Sequence, residues 1–177
     1  MNQLKRYAIQ QMVAVLPSYD EDGGNETKVL VDDGNVIFVN KKVKYVIQWI
    51  KKQSLYNVDL LMKEQQVCFA KSQILPIPLS PNCILLPIKY RKPVGENDGA
   101  YAYISMDWVE RVEARVTSAT DKLHSTVIFK GPFGAQVGEL HAEMQPVKLM
   151  QQLAIAKTIR KQYFSDVYED QYQVAIH

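Results

Sequence analysis

"VDDGNVIFVNKKVKYVIQWIKK", residues 31–52, contains the change of period that decides the fold class. Up to Asn40 the signal is β. "TKVLV" (27–31) and "NVIFV" (35–39) are β-branched and aromatic runs separated by an Asp-Asp-Gly turn, and they read as a hairpin. After Asn40 the period becomes helical. Val43, Val46, Ile47 and Ile50 recur at i, i+3, i+4 and i+7, one face of a helix. Lys44, Lys51 and Lys52 fall largely off that stripe, so the helix buries its apolar side and turns its lysines outward.

Working outward, Ile9–Leu16 reads as a first strand ended by Pro17, followed by a polar loop, "SYDEDGGNE". Beyond the helix, "SLYNVDLLMKEQQ" fits an extension of it or a second helix, and "VCFAKSQIL" looks extended. "PIPLSPNCILLPIKYRKP" (76–93) holds five prolines, which predicts loops around a short "CILLP" strand. "AYAYIS" is a strand. "DWVERVEARV" fits both periods and is read as a helical turn leading into a strand. "STVIFKGPFGAQVGEL" (125–140) is a hairpin around glycines. Pro146 occupies the N1 position of a closing helix whose Leu149, Met150, Leu153 and Ala156 are expected to face one side. The expected class is α+β: a mainly antiparallel sheet of hairpins, a basic helix after the early strands, and a C-terminal helix. Residues 1–165 are read as one domain and 166–177 as an acidic, flexible tail.

The net charge of +2 over 177 residues conceals a segregation. Residues 41–95 carry ten basic and two acidic side chains, a net +8, while the segments on either side are each −3. Such a block is the electrostatic footprint of a surface for a polyanion or an acidic protein. No apolar run is long enough to span a bilayer. The N-terminus lacks a secretory h-region, and the two cysteines, Cys68 and Cys83, read as free thiols, with a disulfide as the alternative. These features describe a soluble, cytoplasmic protein.

Reactive chemistry is hard to assemble. His124, His141 and His177 show no metal-ligand spacing with each other or with cysteine. The glycines of "KGPFGAQVG" match no phosphate-binding fingerprint. Cys68 has Lys71 nearby but no general base, and Asp107, Glu110 and Glu113 read as a charged face. No cofactor, metal or catalytic centre is expected. The basic third remains, with Tyr45, Trp49, Tyr56, Phe69 and Tyr90 interleaved; Trp49 and Phe69 are expected in the core. Tyr90 lies in "IKYRKP", where a proline-bounded loop would present Lys89, Arg91 and Lys92 to phosphates or a narrow minor groove.

The order of short motifs resembles the ComK-type competence transcription factors of low-GC Gram-positive bacteria. These are the "VLP" strand end (15–17), "DDGNVIFVNKK" (32–42), "PIPLSPNCILLP" (76–87), "AYISMDWVE" (102–110), the 125–140 hairpin and the closing helix, together covering about residues 10–165. The resemblance implies a sequence-specific activator of DNA-uptake genes. Such a protein binds A/T-rich promoter boxes through the minor groove, bends the DNA, binds in more than one copy, and is delivered to a Clp protease by an adaptor. In this chain "QWIKKQSLYNVDLLMK" (48–63) departs from the pattern. It keeps Ser54, Tyr56 and Lys63 but lacks the family's Cys, Gly-Ser-Ser and Gly-Arg-Lys. The expected DNA contacts are Lys41, Lys42, Lys44, Lys51, Lys52, Lys63, Lys89, Arg91 and Lys92, with Arg91 the candidate for groove insertion. The alternative is a protein-interaction module whose basic face binds an acidic partner.

Overall fold

The computed structural model of the chain describes residues 1–69, 74–95, 98–117, 122–131 and 138–174, with the side chains of 117, 122 and 166–174 outside the description. The class is α+β with antiparallel sheets. Two short 3-10 turns lead into β1 (Met12–Tyr19), β2 (Asn25–Val31) and β3 (Val36–Val39), and then α1 (Val43–Gln53) and α2 (Val58–Cys68). Next come β4 (Ile77–Ser80), β5 (Cys83–Lys89) and β6 (Tyr101–Ser105), then β7 (Val109–Thr117), β8 (Lys122–Phe129), β9 (Glu139–Ala142) and α3 (Pro146–Val174). Six strands form one antiparallel sheet in the order β3-β2-β1-β6-β5-β4, and a second sheet runs β7-β8-β9.

The large sheet is covered on both faces, which is why its central strands read as unbroken apolar runs rather than alternating ones. On one side Val15, Val29, Ile37 and Leu85 pack with the α1 stripe Val43, Val46, Ile47 and Ile50. On the other, Leu16, Ile84, Leu86 and Ile104 pack with Val127, Phe129 and Leu140 of the small sheet and with Leu149, Ala156, Ile159 and Phe164 of α3. Burial of each such valine, leucine, isoleucine or phenylalanine is worth about 1.5–3 kcal/mol. The β2–β3 turn forms at Gly34, whose φ of +83° is one that L side chains rarely adopt.

Several local expectations change. The first strand begins at Met12 and runs through Pro17, which pairs with Thr27. β1 meets β6 only at Ala14 and Val15, so the missing proline N–H interrupts no ladder on that side. The proline-rich segment is a tight hairpin rather than loops. Pro78 sits in the edge strand β4, and Pro87 lies beyond Ile77↔Leu85, the last β4–β5 pair at that end. Val67 and Cys68 belong to the last turn of α2, while Ala70–Gln73 lie outside the described residues. α2 is separated from α1 by a cap: the Asn57 side chain accepts from the Leu60 N–H at 3.1 Å. "DWVERVEARV" is a 3-10 turn, Met106–Trp108, followed by β7. Along α3 the buried line is Leu149, Gln152, Ala156 and Ile159, and Met150 is exposed. The α3 backbone continues past 165, where the tail was expected to begin, and 175–177 lie outside the described residues.

Candidate nucleic-acid interface

The strand directions place the expected contacts. β1 and β5 end, and β2 and β6 begin, at one end of the large sheet, where β3 also hands over to α1. Lys41, Lys42 and Lys44 stand there on the β3 side. Buried Thr27 donates its hydroxyl to the Lys41 carbonyl at 2.6 Å, which fixes the entry of α1 against β2. Lys41 and Lys44 are exposed, and Lys44 lies 5.0 Å from the centre of the Tyr45 ring. Lys42, half-buried, is the N-cap residue. Lys89, Arg91 and Lys92 lie at the same end on the β5–β6 side. Between the two groups sits the acidic β1–β2 turn, Asp20–Glu21–Asp22, in which Asp20 accepts from the Gly24 N–H at 2.6 Å.

α1 spans eleven residues, about 16 Å at 1.5 Å per residue, and carries Lys51 and Lys52 toward the opposite end. There Ser54 donates to the Leu79 carbonyl at 2.5 Å. Lys52 is exposed, whereas Lys51 is paired with Asp59 of α2. Lys63 is exposed one turn beyond Asp59 on the same face of α2, so it extends this group. The nine residues thus form two basic clusters, at the two ends of α1, and a third beyond an acidic turn.

Arg91 is held by the fold. Its guanidinium stacks 4.0 Å from the Tyr19 ring centre, and its Nε donates to the Gly99 carbonyl at 3.1 Å. The adjacent loop is pinned by Asp98, which accepts from the Tyr19 hydroxyl at 2.5 Å, the Asn25 amide at 2.9 Å and the Gly95 N–H at 2.8 Å. The Tyr19 hydroxyl first, then Asn25 and the Gly95 N–H, bring the Asp98 carboxyl down to about 2. A depressed folded-state value means that the contribution is full above the ordinary 3.8 and is lost as pH falls from there to about 2. Asp98→Ala is therefore expected to lower the melting temperature by a few degrees at neutral pH. The gap from the parent should close across that acid window, as thermal melts in a pH series would read. Beyond these anchors Lys92, Pro93 and Val94 are exposed, Val94 at 87%. Tyr90 packs against the core.

The remaining chemistry is structural. Cys83 is buried and Cys68 exposed, and both are free thiols. Burial first, then Asp107, pushes the Cys83 thiol up to about 12, so it is inert at neutral pH. His141 shares a 3.1 Å hydrogen bond with the Thr126 hydroxyl, and His177 lies outside the described residues. Among the described residues no group of three or more His, Cys, Asp or Glu could hold a metal, and no helix is long and apolar enough to cross a membrane. A second cationic surface escaped the sequence reading. Arg111, Lys130, Lys157 and Arg160 line a groove of about 530 Å³ between β7 and α3, where Arg160 pairs with Asp107 at 2.5 Å. These side chains are scattered through residues 111–160, within a segment of net negative charge, so no local count reveals them.

Comparison with known proteins finds no matching family model, no matching curated protein and no matching solved structure. The ComK-type resemblance therefore rests on the order and spacing of the short motifs.

Proposed function

We propose that the chain binds double-stranded DNA through the outer side of α1 and acts as a transcription regulator of the ComK type, activating DNA-uptake genes from A/T-rich boxes. The observation that carries this reading is the stretch 41–58. It holds five lysines and no carboxylate, and its apolar stripe is committed to the core. Cations on a fixed helix bind phosphates by releasing counterions, a contribution to affinity that is blind to sequence. A helix about 10–12 Å across does not enter a minor groove about 6 Å wide. Minor-groove contact thus falls to the loop at 92–94, where Lys92 meets the negative potential of an A-tract and Val94 is free to wedge at a base step. Binding in more than one copy and delivery to a Clp protease by an adaptor belong to the same proposal.

The deciding experiment is fluorescence anisotropy with two labelled duplexes, one carrying spaced A- and T-tracts and one G/C-rich, over a salt series. Preference for the A/T duplex, with affinity falling steeply as salt rises, is expected. Absence of binding at low salt overturns the proposal. A second reading, docking of an acidic protein, is favoured by the Asp20–Asp22 turn, which breaks the basic track at the sheet end. Light scattering after nuclease treatment separates the two, because a protein complex that survives without nucleic acid supports the second.

A further inference from the structure

The small sheet has an unusual edge. Its outer strand β7 has nine residues, whereas β9, on the far side of β8, has four and pairs only with Ser125–Ile128. β7 and β8 therefore continue as a two-stranded ribbon beyond β9, paired from Arg115↔His124 to Thr117↔Lys122. Among the described residues, the β7 backbone beyond Val109, whose N–H donates to the Met106 carbonyl, makes no hydrogen bond other than those of the β8 ladder. Val116 is 66% exposed, as is its cross-strand neighbour Leu123 at 44%. Exposed edges are blunted by shortness, proline, a covering element, bulges or charged side chains. Among the described residues β7 holds no proline and no strand pairs with its outer side. Its one irregularity lies at its start, between Val109 and Arg111, and its charges alternate in sign, Glu110, Arg111, Glu113, Arg115, so they can complement a second copy rather than repel it.

We infer that β7 is a self-pairing edge and that two copies of the chain join antiparallel along it, with Ala114 on the two-fold axis. The register follows from the side chains. In an antiparallel pair, hydrogen-bonded and non-hydrogen-bonded positions alternate, so a two-fold axis must set one residue against its own copy. Centring on Glu113 opposes two glutamates and sets Arg111 against Arg115. Centring on Arg115 opposes two arginines. Centring on Val112 also sets Arg111 against Glu113 twice, but it places Val109 against Arg115 and leaves Val116 beyond the paired strand. Centring on Ala114 puts a small residue at the axis, Glu113 against Arg115 twice, and Val112 against Val116 twice. Opposite-charge and β-branched pairs facing each other are the stabilising units of a sheet. Arg111, bonded to Glu113 within its own strand at 2.8 Å, leaves that carboxylate an oxygen for the second copy's Arg115.

The pairing needs no nucleic acid, so its test is independent of the proposed function. In nuclease-treated protein carrying Cys68→Ser, Ala114→Cys is oxidised with a glutathione buffer. Directly opposed residues lie about 4.5–5.5 Å apart between Cα atoms, within disulfide reach. A covalent dimer is expected at Ala114→Cys and none at Glu110→Cys, whose copies would be roughly 25 Å apart at ~3.4 Å per residue. Adding Glu113→Arg should cut the yield about tenfold, since two like-charge pairs then face each other. The exchange Glu113→Arg/Arg115→Glu should restore it. If Ala114→Cys fails to fold, a mixture of Val112→Cys and Val116→Cys chains reads the same register as mixed dimers. Equal cross-linking at 110 and 114, no cross-linking at 114, or no rescue by the charge exchange overturns the inference.

Discussion

Replacing Lys41, Lys44 and Lys52 together by glutamine is expected to weaken duplex binding on the order of 10²-fold near ~0.1 M salt, and to reduce the slope of log affinity against log salt by about 2.7. The choice of residues comes from the structure. All three are exposed, and none pairs with a carboxylate in the described hydrogen bonds and ion pairs. Each ammonium that neutralises a phosphate displaces about 0.9 of a counterion, so three contribute additively to the slope while leaving base preference nearly unchanged. Lys51→Gln should cost much less, because Asp59 already holds that ammonium and would compete with a phosphate for it. Lys161→Gln, on the exposed face of α3, serves as the charge control. The variants should melt with the parent, since exposed lysines contribute little to stability. If Lys161→Gln weakens binding as much as each α1 lysine does, the protein is only a diffuse cation and α1 has no particular role.

The same residues show how far the sequence can be read. α1 was legible because both of its sides carry information: an apolar stripe with helical period and lysines off that stripe. The hairpin at Gly34 was legible because its turn chemistry is local. The β4–β5 hairpin was not, because proline signals loops wherever the neighbouring strand is unknown, and only the sheet order shows that Pro78 sits on an edge. β1 was cut short at Pro17 for the same reason. The candidate interface was legible as a list of cations but not as a surface. Nothing local says that Asp59 takes Lys51, that Tyr19 takes Arg91, or that an acidic turn separates two basic clusters. Those are tertiary facts, set by strand direction across residues as far apart as Tyr19 and Asp98. The acidic β1–β2 turn carries the strongest contrary message, since a continuous polyanion track along the sheet end has to skirt it. The lysines along α1 run across the sheet face, so it is the contact at 92–94 that has to pass the acidic turn.

Two neighbours on α3 give the sharpest test of how the fold is assembled. Periodicity places Leu149 and Met150 on the same buried side, but the structure buries Leu149 completely and leaves Met150 54% exposed at the mouth of the β7–α3 groove. The difference is rotational. Gln152, with its amide donating to the Ile74 carbonyl at 3.0 Å, joins Leu149, Ala156 and Ile159 on the inner line, which turns the helix away from the purely apolar stripe. A polar residue on the buried face is invisible to a hydrophobic pattern, so the sequence misjudged the angle. Leu149→Ala is expected to cost about 2–5 kcal/mol, the transfer loss plus the cavity left under the large sheet. Met150→Ala should stay within about 0.5 kcal/mol, as exposed positions do. Against a total stability of roughly 5–15 kcal/mol, the first change shifts a guanidinium midpoint far and the second barely at all. The denaturant slope should match the parent in both, because the surface exposed on unfolding is nearly unchanged. Equal costs for the two would mean that α3 sits rotated from the orientation described, with Met150 in the core and the β7–α3 groove closed over it.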